Sequence, residues 1–254
     1  MNGFTMVAAA VLSAASLAGA GAALAAEGHA VHWTYQGHGG PAEWGELSPD
    51  YHACKVGAMQ SPIDLKSANV SADVSIKTDY KPVELEILHN GHTVQFNVGN
   101  GSTLTTHGKT FSLLQVHFHT PSEHVADGKP YPLEAHFVHK ADDGALAVIG
   151  VFYKEGKDNS ALKAVFDNLP MHETEAAKKG VTIDPSKMLP AKTDFYRYMG
   201  SLTTPPCSEG VNWFVVRTPD EASKAQIDAI HEAMGSNARP AQAPNNRLIV
   251  EPQK

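Results

Sequence analysis

Short stretches of alternating or continuous apolar residues dominate the chain and predict a protein built mainly of β-strands. These stretches are residues 74–76, 85–88, 93–98, 146–153 and 211–216. Successive side chains of a strand point to opposite faces, so an alternating stretch buries one face, and a continuous one is typical of a strand buried on both. Asn90-Gly91 and Asn100-Gly101 favour turns between the strands.

Helices are few in the predicted structure. Residues 160–169 carry four apolar side chains on one helical stripe, and Pro170 ends the pattern. Residues 218–221 (Thr-Pro-Asp-Glu) have the form of a capping box with proline at the first helical position, which predicts a helix to about Met234. We therefore expect one long sheet with short peripheral helices.

Three histidines lie on two of the predicted strands. His117 and His119 are two residues apart, so their side chains point to the same face. His136 lies on a second alternating strand, reached through a connection at residues 120–132 that contains glycine and proline. If the two strands pair, the three imidazoles converge on one metal ion. Three neutral nitrogen ligands leave a fourth tetrahedral position open, which is typical of a catalytic zinc site.

Two polar neighbours favour the metal site over the alternative of ordinary, half-exposed histidines. Gln115 shares the strand face of His117, and Glu134 shares that of His136. A metal-bound histidine needs an acceptor for its second ring N–H. An unpaired acid on a buried strand face would instead be costly.

Composition restricts the compartment and the partners. Residues 6–26 are apolar, small and uncharged and end in Ala-Leu-Ala at 23–25, which predicts a signal peptide at 1–25 and a single domain at 26–254. We expect an exported protein, periplasmic in preference to secreted. A membrane span is the alternative for the first segment, and the mature protein is expected to have none. The net charge of −7, without a stripe of basic residues, argues against nucleic acid as a partner.

Cys54 and Cys207 are the only cysteines of the chain. In an exported protein, two cysteines most simply form one disulfide. A nucleophilic Cys207 is the alternative, but no activating motif surrounds it.

Five motifs, in their order and spacing, resemble those of the α-class carbonic anhydrases of bacterial, exported type. They are Trp33-Thr34-Tyr35, Gln60-Ser61-Pro62-Ile63-Asp64, the run 117–124, the run 200–207, and Arg239-Pro240-Ala241-Gln242. The resemblance covers nearly the whole chain after the signal peptide. It also implies that Cys54 and Cys207 form a disulfide.

The resemblance implies a mainly β (α+β) single domain with a central twisted, largely antiparallel ten-stranded sheet and short peripheral helices. It implies a carbonic anhydrase (carbonate dehydratase, a zinc lyase) that reversibly hydrates carbon dioxide to bicarbonate and a proton by attack of a zinc hydroxide. The implied cofactor is Zn²⁺, held by His117, His119 and His136. The expected partner is the small-molecule substrate, and the expected assembly is a monomer or homodimer.

The resemblance also assigns roles in proton movement. Thr203 accepts a hydrogen bond from the zinc hydroxide and donates its own proton to Glu123. His92 is the proton shuttle, since an imidazole titrates near neutral pH. The residues that order its water chain are Tyr35, Asn90 and Gln95.

Further assignments concern the pocket and the ligands. Carbon dioxide is apolar, so its pocket should have an apolar wall, and Thr204 lines the product side. The wall residues are Val138, Val148, Leu202 and Trp213. Gln115 and Glu134 hold the second nitrogens of His117 and His136, and the segment around Asn237 holds the remaining ligand.

Three other functions stay open from the sequence. A non-enzymatic, carbonic-anhydrase-like binding module would usually lack a zinc histidine, and this chain keeps all three. A zinc-buffering protein would not need the pair Thr203 and Glu123. A zinc esterase is compatible with the metal site as a side activity on activated esters, but no oxyanion donor or leaving-group acid is visible.

Overall fold

Strands account for most of the secondary structure that the computed structural model describes, in residues 31–72, 74–191 and 194–253. The strands are β1 (Val70–Ser71), β2 (Lys77–Asp79), β3 (Val83–His89), β4 (Val94–Asn97), β5 (Thr103–Thr106), β6 (Lys109–His119), β7 (Val125–Ala126), β8 (Lys129–Pro130), β9 (Leu133–Lys140), β10 (Leu146–Glu155), β11 (Ala177–Ile183), β12 (Phe195–Ser201), β13 (Glu209–Val216), β14 (Asp220–Ala222) and β15 (Ile249–Glu251). The α-helices are α1 (Trp44–Leu47), α2 (Ala53–Val56), α3 (Lys163–Phe166) and α4 (Lys224–Met234). The predicted signal peptide lies outside the described residues.

One large sheet organises these strands. Ten of them form its main path in the order β1-β15-β12-β13-β10-β9-β6-β4-β3-β11, with β2, β5 and β14 attached beside it. The mainly β fold with short helices is confirmed, but the sheet is mixed. β10 pairs in parallel with β13 and β14, and β1 with β15. The chain between β10 and β13 is a long crossover through α3, β11 and β12, which allows the parallel pairing that a hairpin cannot give.

Three local predictions were wrong in detail. Residues 74–76 are not a strand; the strand begins at Lys77, where pairing with β5 starts. The helix predicted at 160–169 is regular only over Lys163–Phe166. The capping box predicted at 218–221 is instead the approach to β14 and part of that strand, which pairs with β10.

The real capping box of α4 lies a few residues later. Ser223 Oγ accepts from the backbone N–H of Gln226, and the Gln226 side chain accepts from the backbone N–H of Ser223. Both sequences have the form of a box, but residues 220–222 find hydrogen-bond partners along β10 and are therefore extended. The predicted end at Met234 agrees with the structure.

The two faces of β6 and β9 have different surroundings. Val116, Phe118 and Phe137 point into the main apolar core, on which α4 packs Ile227 and Ile230. The alternate residues of both strands, which include the three histidines, point to the other face. The period-2 pattern thus separates a packing face from a chemical face.

His139 is a fully buried histidine on the packing face. Its Nδ1–H donates to Ala147 O (3.2 Å), and its Nε2 accepts from the Tyr80 hydroxyl (2.7 Å). Both nitrogens are thus paired in the neutral form. Burial lowers the pKa of His139 to about 4, below the value of roughly 6.5 in an unfolded chain.

We expect this histidine to make the fold sensitive to acid. Between pH 6.5 and about 4 the unfolded chain binds the extra proton, so this stability is complete above pH 6.5 and falls by about 3 kcal/mol as the pH drops. In urea unfolding with a chelator present, the free energy of unfolding should therefore fall less steeply with decreasing pH for His139→Gln than for wild type. His107→Gln, an exposed control, should follow the wild type. Parallel curves for His139→Gln and wild type would contradict this account.

Candidate metal centre

The three sequence-predicted histidines meet at the junction of β6 and β9. These strands are antiparallel neighbours, and His117 pairs directly with His136. The ring centroids lie 5.0 Å (His117 to His119), 5.1 Å (His117 to His136) and 4.5 Å (His119 to His136) apart. One ring nitrogen from each residue lies within 4.8 Å of the others. The structure therefore places three nitrogen donors around one point.

Hydrogen bonds on the second nitrogens orient two of these rings. His117 Nδ1–H donates to Gln115 Oε1 (2.9 Å), and His119 Nδ1–H donates to the backbone oxygen of Asn237 (2.8 Å). Each bond leaves the Nε2 lone pair free on the side of the cluster. Gln115 was predicted for this role, and Asn237 acts through its backbone.

The Asn237 side chain ties the same segment to β6. Its Oδ1 accepts from Thr120 N (2.8 Å), and its Nδ2 donates to Phe118 O (2.9 Å). The Asn237 carbonyl thus holds the His119 ring, while the Asn237 side chain is hydrogen-bonded to the backbone of the residues before and after His119. This explains how a segment far along the chain can orient one ligand.

The third ring, His136, faces the carboxylate predicted for it. Its Nε2 lies 3.0 Å from Glu134 Oε1, whereas its Nδ1 lies on the side of Glu123, 3.9 Å from Oε2. His136 Nε2 forms no hydrogen bond among the described residues, but its short distance to the Glu134 carboxylate favours Nδ1 as the nitrogen for the cluster. With this choice, the donor set is two Nε2 atoms and one Nδ1 atom.

The cluster fits a divalent ion that takes nitrogen ligands. Burial, followed by the neighbouring imidazoles, lowers the pKa of His117 well below its usual value. Burial is also the main cause that lowers the pKa of His119. The His117 and His119 rings are therefore neutral near pH 7, and their lone pairs are available. His119 Nε2 is buried and has no hydrogen-bond partner in the described part of the chain, as expected of a metal ligand. Three neutral nitrogens suit zinc.

Glu134 belongs to a wider buried network than the sequence predicted. Its Oε2 accepts from the backbone N–H groups of Glu123 and His124, both at 2.9 Å, and its Oε1 lies 2.8 Å from His124 Nδ1. Burial favours the protonated acid, but His124 and His136 outweigh it and hold the pKa of Glu134 well below its usual range. Glu134 is thus an ionised acceptor.

Sequence reasoning missed two residues of this network. His124 is fully buried, and its Nε2 lies 2.6 Å from the Tyr198 hydroxyl. Gly150 pairs with His136, and a Cβ added there would lie 2.8 Å from Glu134 Oε1, so only glycine leaves room for the carboxylate. A glycine inside the apolar stretch 146–153 was the available signal, because glycine in a strand often marks a close approach.

Glu123 is buried beside the cluster and is only half paired. Its Oε1 accepts from the backbone N–H of Arg239 (2.9 Å). Its Oε2 has no hydrogen-bond partner among the described residues and lies 3.4 Å from His119 Nε2. The predicted bond from Thr203 to Glu123 is therefore not formed in the structure, although Thr203 is buried in the loop between β12 and β13. The relay stays a prediction, and the free oxygen is the atom that could accept it.

A cavity of about 210 Å³ leads from His117 and His119 towards the surface. It brings together most residues that were assigned to the proton path and product side: Tyr35, Asn90, His92, Gln95, Gln115 and Thr204. The His92 ring stacks on Trp33, with centroids 3.6 Å apart and an angle of 8°. His92 is half-buried and Asn90 is exposed, so these residues form the outer end of the cavity.

The predicted apolar wall lies beside His136, and its residues do not line this cavity. Val138, Val148 and Trp213 are cross-strand neighbours on β9, β10 and β13. Leu202 packs on the same cluster. The Trp213 and His136 rings are 4.9 Å apart, which places the wall directly against one ring of the histidine cluster.

The predicted disulfide between Cys54 and Cys207 is present. Cys207 N–H donates to Thr204 O (2.8 Å), and Gln60 Nε2 donates to Cys207 O (3.0 Å). The bridge therefore attaches α2 to the loop that carries Thr203 and Thr204. The nucleophilic alternative for Cys207 is excluded by this bond.

Fold and site together define the class of the protein. Three histidine nitrogens on adjacent strands, a cavity that reaches two of them, and an apolar wall beside the third describe a candidate metal centre that a small molecule can reach. No helix in residues 31–72, 74–191 and 194–253 has both the length and the apolar character needed to cross a membrane.

Comparison with known proteins identifies the family. The family model described as eukaryotic-type carbonic anhydrase matches residues 39–253. A carbonic anhydrase of Nostoc sp. is 46% identical over 227 residues, covering 87% of this chain and 86% of that protein. One of Pectobacterium atrosepticum is 43% identical over 221 residues, covering 87% of this chain and 91% of that protein. The solved α-carbonic anhydrase of Thermovibrio ammonificans, in complex with the inhibitor sulfanilamide, is similar with a TM-score of 0.84 and 43% identity, covering 88% of this chain and 100% of that one.

The chain belongs to the carbonic anhydrase family. It is an enzyme whose reaction is the hydration of carbon dioxide, and its substrate is a small molecule. The resemblance carried by the five sequence motifs is confirmed.

Proposed function

We propose that this enzyme hydrates carbon dioxide reversibly with one Zn²⁺ held by His117, His119 and His136, and that His92 carries the proton to solvent. The observation that carries the proposal is the convergence of three ring nitrogens while Gln115 and Asn237 hold the opposite nitrogens of two rings. A zinc-buffering protein would need neither the apolar wall nor the cavity. When bound, zinc supplies a Lewis acid that makes water a nucleophile at neutral pH.

The chain's own residues position the reactants. The apolar wall (Val138, Val148, Leu202 and Trp213) offers no hydrogen bond and suits an apolar gas such as carbon dioxide. Glu123 Oε2 is free to accept the proton of the Thr203 hydroxyl. In that arrangement the Thr203 O–H donates its one hydrogen bond to Glu123, so the Thr203 oxygen can only accept a hydrogen bond from the attacking water, which fixes the water's orientation.

Proton release uses the outer end of the cavity. His92 lines the same cavity as His117 and His119, with Tyr35, Asn90 and Gln95 between or beside them. The polar groups of these side chains can order water between the site and His92. Burial, followed by His32, lowers the pKa of His92 from its ordinary value, so its neutral ring is ready to accept a proton at pH 7.

Stopped-flow hydration of carbon dioxide in dilute buffer tests the shuttle. We expect His92→Ala to lower kcat by on the order of 10- to 100-fold with kcat/KM unchanged, because only the proton step is lost. Added imidazole should restore kcat by replacing the missing base. His107→Ala, in the turn at the other end of β6, should behave as wild type. An unchanged kcat for His92→Ala in dilute buffer would rule the shuttle out.

We also propose that residues 1–25 are a signal peptide, that residues 26–254 form the mature enzyme and that it resides in the periplasm. The disulfide supports export, because such bonds persist in oxidising compartments. The N-terminal sequence of the enzyme recovered from separated cell fractions tests the cleavage site and the compartment together. The expected monomer or homodimer is tested by its sedimentation.

A further inference from the structure

The outer end of the cavity carries charged and titratable groups from three parts of the chain. Three charged or titratable groups influence the pKa of His92: His32 from the N-terminal segment, His89 from the end of β3, and Glu173 from the segment between α3 and β11. Tyr35 lies across the cavity, with its ring centroid 6.5 Å from that of His92. Glu173 is the one carboxylate in this group.

Backbone contacts hold Glu173 against the turn that precedes His92. Thr174 N–H donates to His89 O (2.9 Å), and His89 N–H donates to Thr174 Oγ1 (3.3 Å). The carboxylate then lies over Gly91, since a Cβ added to Gly91 would lie 3.4 Å from Glu173 Oε2. The residue after Glu173 is thus fixed to β3, and its acid group lies next to the neighbour of His92.

His92 is itself held in place at this turn. Its ring stacks on Trp33, its N–H donates to Asn90 Oδ1 (3.0 Å), and its carbonyl accepts from Asn237 Nδ2 (3.1 Å). His92 and the Glu173 carboxylate are therefore held at the same turn by two anchored segments.

We propose that Glu173 is a positioning residue for the proton shuttle, whose negative charge stabilises the protonated ring of His92 at the outer end of the cavity and so helps that ring to accept the proton from the site. The inference rests on the proposed shuttle role of His92. The proton leaves a ring nitrogen of His92 for a base in the buffer, and Glu173 neither gains nor loses one. His32, which is exposed, opposes Glu173 because its own positive form repels a charged His92 ring.

The opposing charges give the proposal a signed test. Of the groups around His92, burial, His32 and His89 lower its pKa, and Glu173 raises it. Removing the carboxylate should therefore lower the pKa of His92, and removing His32 should raise it. Glu173 is exposed, so the effect on rate is modest and should fade in high salt.

NMR titration of the His92 ring in the zinc-loaded enzyme measures this directly. We expect Glu173→Gln to lower the pKa of His92 and His32→Gln to raise it. Both shifts should be reduced in about 0.5 M salt, where the Debye length falls to about 4 Å. The matched control Glu175→Gln removes an exposed carboxylate two residues away and should leave the titration unchanged. In dilute buffer, Glu173→Gln should alter kcat about twofold and shift its pH profile, with kcat/KM unchanged.

The outcomes separate this inference from the proposed function. If Glu173→Gln and Glu175→Gln give the same His92 titration as wild type, the role of Glu173 is refuted and the shuttle is untouched. If the titration shifts as expected but His92→Ala keeps full kcat in dilute buffer, the shuttle is refuted and the positioning role with it. Opposite shifts of the His92 pKa in Glu173→Gln and His32→Gln, together with a changed pH profile of kcat in Glu173→Gln, support the proposal.

Discussion

His119→Ala should lose both zinc and activity. Its ring is 1% exposed and supplies a nitrogen with no other partner among the described residues, so alanine removes one of three ligands without a nearby substitute. We expect metal content to fall from one zinc per chain to near zero, and kcat/KM to fall by at least about 10³-fold. Elemental analysis after dialysis, together with stopped-flow hydration, measures the two quantities on the same sample.

Gln115→Leu is the graded comparison for this variant. It keeps all three ligands and removes only the acceptor of His117 Nδ1–H. Zinc affinity should fall by roughly 10- to 100-fold, with activity largely restored in excess zinc. Circular dichroism should show both variants folded. Full hydration activity in a zinc-free His119→Ala sample would overturn the proposed metal centre.

Loss of the disulfide should be the largest stability effect. The bond joins residues 153 positions apart, and in the chain-entropy model a loop of that length stabilises the fold by about 5 kcal/mol, as an upper value. We expect Cys54→Ser/Cys207→Ser to unfold at a clearly lower urea concentration than the oxidised wild type. Wild type in reductant should match the variant, and the variant should not respond to reductant.

The same variant should also lose activity below its unfolding transition. The bridge attaches α2 to the loop that carries Thr203 and Thr204, and Cys207 N–H closes that loop onto Thr204 O. Without the bridge the loop is less restrained, so kcat/KM should fall while zinc content stays at one per chain. Equal urea midpoints for variant and oxidised wild type would contradict the stabilising role.

Features that depend on local periodicity could be predicted from the sequence. Alternation along β6 and β9 is enough to place His117, His119 and His136 on one face, because side-chain direction in a strand has a fixed period. The run 146–153 indicated a buried strand for the same reason, and β10 is that strand. The shared face of His117, His119 and Gln115 therefore follows from spacing, whereas the meeting with His136 also requires that β6 pairs with β9.

Features that depend on distant partners could not be predicted in this way. The capping boxes at 218–221 and 223–226 look alike locally, and only pairing with β10 decides which one begins a helix. The parallel pairing of β10 with β13 requires a crossover that no short window reveals. The burial of His124 depends on Tyr198, which lies 74 residues away.

The bond from His119 to the backbone of Asn237 spans 118 residues and sets an order of events during biosynthesis. The strands that carry the three histidines are complete at Lys140, but the His119 ring acquires its orientation only when the segment at Asn237 has been made. A nascent chain still on the ribosome therefore offers metals an unfinished site. For the proposed zinc site, full affinity is therefore expected only after the C-terminal segment has been made and has folded onto β6.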